Sequence, residues 1–177
     1  MQNAAWTYES LKDGTATVSG VSNWFLVDQK RINLFGDVTS DPDPMHIDAA
    51  WCERSSPFGE PIAFGFLTMS LLTCLLRDAL GTPPEYAASP ETYPLNYGFD
   101  RLRLISPVPV NSRIRGHFRL MNVHERKPGQ LVVKLHVEVR AEHEPKPALV
   151  AEWLTVFMRE ETKAAAWEDR TQARAAL

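Results

Sequence analysis

The stretch PIAFGFLTMSLLTCLL, residues 61–76, decides the fold, because it carries no charged side chain and ends at Arg77 and Asp78. It is shorter than the ~18–20 residues that a membrane-spanning helix needs. Apolar side chains on every side of a helix are typical of one that other structure encloses. We therefore predict a long, buried central helix that begins near Gly65.

The second half of the chain has the periodicity of β-strands. Apolar and polar side chains alternate through residues 112–120 and again through residues 131–139. Residues 149–158 are apolar on both faces, residues 96–105 are a further candidate strand, and turn sequences such as KPG separate the strands. One long helix and several antiparallel strands predict an α+β fold, in which a curved antiparallel sheet wraps around the central helix.

Length and composition indicate a globular protein. With 177 residues, of which 44% are hydrophobic and 23% charged, we predict a single domain over residues 1–177 with a loosely attached tail at 160–177. A formal net charge of −3 gives no support for nucleic-acid binding. The first residues lack the basic and apolar regions of a signal peptide, and Cys52 and Cys74 do not make a disulfide framework. These features favour a cytoplasmic location away from membranes.

Two connecting regions flank the predicted central helix. Before it, Asp28 is a candidate N-cap for a helix that would end near Gly36, and the prolines at 42 and 44 predict a rigid loop after that helix. After it, the proline-rich residues 81–94 read as a surface loop. The rigid loop carries polar side chains close to the two prolines.

Three titratable side chains, those of Asp41, Asp43 and His46, lie within the stretch DPDPMH. General acid–base catalysis needs an acid and a base held within hydrogen-bond reach of one water or substrate proton, and the prolines would hold them there. The alternative is a solvated turn in which Asp41 or Asp43 caps a short following helix, since Asp, Pro and His are common in turns.

Gly65 at the start of the central helix offers a second chemical group. Unpaired amides at a helix start carry partial positive charge that suits a developing oxyanion, and glycine lets a carbonyl approach the backbone closely. The alternative role of Gly65 is purely structural, to allow tight packing of the helix on the sheet.

These segments together resemble a known family. Residues 27–48, with the stretch DPDPMH, are similar to the signature of MaoC-like dehydratases and (R)-specific enoyl-CoA hydratases, a short helix followed by Asp-x-Asn-Pro-x-His. Residues 61–68 resemble the glycine-containing helix start of that family. Residues 96–103 and 106–110 resemble its branch related to nodulation protein N. The resemblance covers about residues 20–158.

The resemblance implies a hotdog fold, a homodimer and a lyase of fatty acid metabolism. The implied reaction is (R)-specific hydration of trans-2-enoyl thioesters of coenzyme A or acyl carrier protein, or the reverse dehydration of 3-hydroxyacyl thioesters. Asp41 and His46 would activate water, and the Gly65 amide would polarise the thioester carbonyl. Neither a metal nor a redox cofactor is implied.

Two positions depart from the family pattern, and both are predicted to contact the substrate. Asp43 stands where the family usually has Asn, and Phe64 stands where His is common. A carboxylate accepts hydrogen bonds but cannot donate them when ionised. Asp43 therefore either stands beside Asp41 and disfavours ionisation of the pair, which is the version we favour, or turns away to cap the following helix.

Two other functions remain open on the sequence. A hotdog thioesterase would attack the thioester carbonyl, a reaction that does not call for the DPDPMH arrangement. A catalytically weak acyl-thioester-binding module is the alternative that Asp43 and Phe64 suggest.

Overall fold

The computed structural model describes residues 6–16, 19–81 and 92–159. Its helices are α1 (Tyr8–Lys12), α2 (Gln29–Thr39), α3 (Pro44–Ile47), α4 (Ala49–Ser55), α5 (Gly65–Ser70) and α6 (Leu72–Ala79). Its strands are β1 (Ser19–Val21), β2 (Phe25–Val27), β3 (Thr92–Leu104), β4 (Ser112–Lys127), β5 (Gln130–Ala141) and β6 (Leu149–Arg159). The tail expected at 160–177 and most of the loop expected at 81–94 lie outside the described residues.

The strands form one antiparallel sheet, which confirms the predicted α+β class. Its order is β1-β4-β5-β6-β3, and β2 pairs with β4 beyond the end of β1. In the meander β4-β5-β6, Phe118 lies opposite Val137 and Val137 lies opposite Ala151, and the register of β4 against β5 shifts only beyond Leu120. Because Phe118, Val137 and Ala151 share the buried face, the period-two pattern read from the sequence matches the register that the sheet adopts.

The predicted central helix is present but consists of two consecutive segments, α5 and α6, joined at Leu71. Its buried side chains pack against one face of the sheet, and they include Leu67, Leu72 and Leu75. One face of the helix is not buried: Phe66 is 70% exposed, and Ser70 and Thr73, which follow it on that face, are exposed as well. The expectation that the helix is enclosed on every side is therefore wrong along this face in the described chain.

The helix predicted at Asp28 is confirmed, whereas its predicted end at Gly36 is wrong. The Asp28 carboxylate accepts a hydrogen bond from the Arg31 amide at 2.8 Å, as an N-cap does. The helix continues through Gly36 to Thr39 and stops at Ser40, which adopts the left-handed conformation with φ of 55°. Gly36 is buried, and its place inside the helix has a packing reason described below.

The rigid loop predicted around the two prolines is in part helical. Pro44 is the first residue of α3, and the amide of Asp48 closes the turn on the Pro44 carbonyl at 3.0 Å. Proline is tolerated at this position because the first amides of a helix have no partner within it. His46 is consequently held by one turn of helix rather than by an extended loop.

Among the described residues, the sequence reading missed α1, β1 and β2. The two short strands lie against β4 and are separated at Ser22, whose hydroxyl accepts a hydrogen bond from the Gly116 amide at 2.9 Å. Both cysteines are free thiols, as expected. None of the helices in the described ranges is long and apolar enough to cross a membrane.

Candidate active site

His46 is half-buried and its imidazole is fixed by a main-chain group. Its Nδ1 lies 2.7 Å from the carbonyl oxygen of Ile62. Because a carbonyl oxygen only accepts hydrogen bonds, Nδ1 of the neutral ring carries the proton and Nε2 presents its lone pair. The geometry therefore assigns His46 the tautomer that a general base acting through Nε2 requires.

The segment that supplies this carbonyl is itself held on both sides. The Ile62 amide donates to the Met45 carbonyl at 3.3 Å, and the Ala63 amide donates to the Val108 carbonyl at 2.8 Å. Ile62 also forms an isolated antiparallel bridge with Pro109. The residues before the central helix thus join the helix that carries His46 to the chain that follows β3.

Asp41 and Asp43 have different environments. Asp41 is exposed, its amide donates to the Gly36 carbonyl at 3.0 Å, and its carboxylate accepts from the Asp43 amide at 3.3 Å. Asp43 is half-buried, and its carboxylate accepts from the Met45 amide at 2.9 Å as the N-cap of α3. The structure thus realises the capping version for Asp43, contrary to the preference stated above, because the unpaired amides of α3 lie within reach of its short side chain.

Phe64 lies behind His46. Only 4% of its surface is exposed, and its ring centroid is 3.8 Å from that of His46 and 5.3 Å from that of Phe35. A Cβ atom on Gly36 would lie 3.2 Å from Phe64 Cζ and 3.0 Å from the Asp41 carbonyl oxygen. Position 36 of α2 is therefore occupied by glycine, because any side chain there would press on both the Phe64 ring and the loop that carries Asp41.

Gly65 begins α5, directly after Phe64, and no side chain caps this helix start. Leu104 at the end of β3 packs so closely against Gly65 that a Cβ atom would collide with its side chain. Both interpretations of this glycine are thus compatible with the geometry, since it permits close packing and leaves the first amides of the helix without a side-chain cap.

Two residues that support this site were missed by the sequence reading. The Gln29 amide group donates to the main-chain carbonyl of His46 and to the Asn33 side chain, both at 2.8 Å. Cys52 in α4 is fully buried, and its thiol contacts the carbonyls of Pro44 and Met45 at 3.5 and 3.4 Å. Neither role has a local sequence signal, because both contacts are made to main-chain groups of a separate helix.

Three arginines of β4, namely Arg113, Arg115 and Arg119, lie on the face of the sheet opposite to the buried Ile114 and Phe118. Arg113 forms a bidentate ion pair with Glu142, and the guanidinium of Arg115 lies 4.5 Å above the Trp24 ring. His117 on the same face is half-buried, and burial lowers its pKa, with a further contribution from Arg115. The described residues contain no cluster of three or more His, Cys, Asp or Glu side chains that could hold a metal ion.

Comparison with known proteins places this geometry in a family. The model of the MaoC like domain matches residues 12–143, which is most of the chain and includes every candidate catalytic residue. The chain belongs to the MaoC-like family. The resemblance stated from the DPDPMH stretch and the glycine-containing helix start is therefore confirmed.

Relatives within the MaoC-like family include proteins named for different roles. The chain is 40% identical over 150 residues to nodulation protein N of Rhizobium meliloti, covering 83% of this chain and 90% of that protein. It is 35% identical over 157 residues to 3-hydroxyacyl-thioester dehydratase Z of Mycobacterium tuberculosis, covering 86% of this chain and 98% of that protein.

The solved structure of the (R)-hydratase from A. caviae involved in PHA biosynthesis matches this MaoC-like chain with a TM-score of 0.62. The sequence identity is 20%, and the match covers 80% of this chain and 96% of that one. At this identity the likeness concerns the fold. The hotdog architecture expected from the resemblance is confirmed.

Proposed function

We propose that this MaoC-like protein catalyses the (R)-specific addition of water to trans-2-enoyl thioesters and, in reverse, the dehydration of 3-hydroxyacyl thioesters. The observation that carries the proposal is the 2.7 Å hydrogen bond from His46 Nδ1 to the Ile62 carbonyl, which leaves Nε2 as a proton acceptor. The relative named as a 3-hydroxyacyl-thioester dehydratase supports the same class of reaction.

In the proposed reaction, one water molecule is held between Asp41 and His46. Nε2 of His46 accepts a proton from the water as its oxygen forms a bond to C3 of the substrate. The electron pair of the C2–C3 double bond moves toward the thioester carbonyl, and C2 then takes up a proton from the Asp41–His46 pair. The hydroxyl and the proton gained by the substrate both come from water, so no redox cofactor is required.

Charge that develops on the thioester oxygen needs a hydrogen-bond donor. The Gly65 amide is the candidate, because it begins a helix whose first turn has no side-chain cap and because glycine permits close approach. Removing one such donor from an oxyanion site typically costs about 10²–10³-fold in kcat. Asp43 and Phe64 remain proposed substrate contacts, although the contacts described above are capping for Asp43 and packing for Phe64.

The test is incubation of the purified protein with crotonyl-CoA and separate measurement of enoyl absorbance and free thiol. Loss of absorbance without thiol release, with (R)-3-hydroxybutyrate recovered after hydrolysis of the product, is the expected result. His46→Ala should abolish most of the loss, and His143→Ala is a matched control because that side chain is 90% exposed in a turn.

Two outcomes would contradict the proposal. Thiol release with crotonate as the recovered acid would identify a thioesterase. Binding of crotonyl-CoA with neither signal would identify an acyl-thioester-binding module. Repetition with longer enoyl chains and with acyl carrier protein thioesters would define the substrate class.

A further inference from the structure

We infer that Phe64 is a positioning residue that sets the plane of the His46 imidazole, and that Gly36 is what allows Phe64 to take this place. The inference rests on the proposed function, in which His46 is the base. It goes beyond the substrate contact proposed for Phe64, because it gives the ring a separate role, which is to orient His46.

The imidazole of His46 needs two restraints to aim Nε2. The hydrogen bond between Nδ1 and the Ile62 carbonyl fixes one edge of the ring but allows it to rotate about that bond. The Phe64 ring, with its centroid 3.8 Å away and its plane inclined by 37°, blocks that rotation on one side. The two contacts together leave Nε2 a narrow range of directions.

A restraint of this kind works only if the aromatic ring is itself immobile. Only 4% of the Phe64 surface is exposed, and Phe35 packs against it with ring centroids 5.3 Å apart. On the remaining side, Gly36 lets the backbone of α2 approach the tip of the ring. Phe64 is therefore enclosed by α2 and by His46, and it has little space in which to change rotamer.

Phe64 also links the base to the candidate oxyanion donor. Its side chain contacts His46, while its main chain is the N-cap of α5, and its carbonyl accepts from the Thr68 amide at 3.1 Å. The Gly65 amide follows directly. Movement of Phe64 would thus change the distance between the two groups that must act on one substrate. A hydrocarbon ring in this position offers no hydrogen bond that competes for the imidazole.

The experiment compares Phe64→Leu with Phe118→Leu in the crotonyl-CoA assay. Phe118 is a matched control, because it is 3% exposed, loses the same atoms and lies on β4 against Gly116. Phe64→Leu is expected to lower kcat roughly 10–100-fold while KM stays close to that of the parent, since misplacement of a catalytic group by about 1 Å has effects of this size.

A second measurement is independent of turnover. Proton–nitrogen correlation spectra report the tautomer of each of the five histidines, and His46→Ala assigns the signal of His46. Phe64→Leu should shift the His46 ring nitrogens, whereas Phe118→Leu should leave them in place. A parent protein without hydratase activity would refute the proposed function while this spectral comparison still tests the positioning role.

Either of two results would overturn the inference. An increase in KM with unchanged kcat in Phe64→Leu would mean that the ring contacts substrate but does not orient the base. Unchanged His46 ring signals in folded Phe64→Leu would mean that the Phe64 ring does not set the imidazole plane.

Discussion

The carboxylate of Asp43 accepts a hydrogen bond from the Met45 amide at 2.9 Å, so the residue that departs most visibly from the family signature has a structural partner. This contact holds the start of α3, the single turn that carries His46. The same loop position can therefore stabilise the site without taking part in proton transfer.

Substitution of Asp43 separates capping from chemistry. Asn caps helices about as well as Asp, so Asp43→Asn should leave the free energy of unfolding nearly unchanged, whereas Asp43→Ala should lower it by about 1 kcal/mol. Urea denaturation of both variants measures this difference. A large loss of hydratase activity in a stably folded Asp43→Asn protein would contradict the capping role and give the carboxylate a chemical one.

Asp41→Asn and His46→Ala should each lower kcat/KM by about 10²–10⁴-fold, the usual contribution of a general acid or base. Asp37→Asn is the control for the first variant, since Asp37 is an exposed carboxylate on the last turn of α2. Enoyl absorbance at saturating and limiting crotonyl-CoA measures the effect. Near-normal hydration by either folded variant would remove the proposed mechanism.

Gly36→Ala should destabilise the protein and lower its activity, against the usual trend for helices. Replacement of glycine by alanine inside a helix ordinarily stabilises by about 0.5–1 kcal/mol. Here the added Cβ would lie 3.2 Å from Phe64 Cζ and 3.0 Å from the Asp41 carbonyl oxygen, so one of them has to move. Thermal unfolding and kcat are the measurements, and a more stable, fully active variant would contradict the packing role.

Acidification below about pH 6.5 should reduce stability through His117. Its pKa in the folded protein is lowered by burial and then by Arg115 and Arg140, while Glu138 opposes them. The unfolded chain therefore binds more protons between that lowered pKa and the ordinary value of 6.5, and stability is lost as the pH falls through this window. His117→Gln should flatten the pH dependence of the unfolding free energy there, and an unchanged slope would refute the assignment.

We predict that this MaoC-like chain forms a homodimer. The edge strand β3 exposes Leu95, Tyr97 and Leu104 by 41–51% of their surface, and Phe66 lies open on the first turn of α5. Exposed apolar side chains on a sheet edge are commonly covered by association. Light scattering at micromolar concentration should give twice the 20.0 kDa of the chain, and a mass of 20.0 kDa would refute the prediction.

The larger elements could be predicted because their patterns are local. Alternation of apolar and polar side chains predicted β4 and β5, because each strand buries one face. The run without charged residues predicted the central helix, because most of its surface is buried. The residues at which helices end were harder to predict from the sequence. Gly36 resembled a helix end. Position 36 is glycine because the ring of Phe64, which lies 28 positions later in the chain, leaves no room there for a side chain.

The candidate site was predictable in its residue types but not in its connections. DPDPMH made Asp41 and His46 candidates, yet the groups that hold His46 are a carbonyl from residue 62 and an amide side chain from residue 29. A main-chain carbonyl that binds a side chain leaves no signal in a sequence, because every residue carries a carbonyl. Only the fold brings that particular carbonyl to the imidazole.

The same hydrogen bond affects how this protein tolerates mutation. Where a carboxylate orients a catalytic histidine, one base change in the gene can delete the orienting group. Here the orienting atom is the main-chain oxygen of Ile62, so no substitution at position 62 removes it, and only a displacement of the backbone can. Substitutions at position 62 are therefore limited by the volume of the side chain. A point mutation of Ile62 does not remove the hydrogen bond that fixes the tautomer of His46.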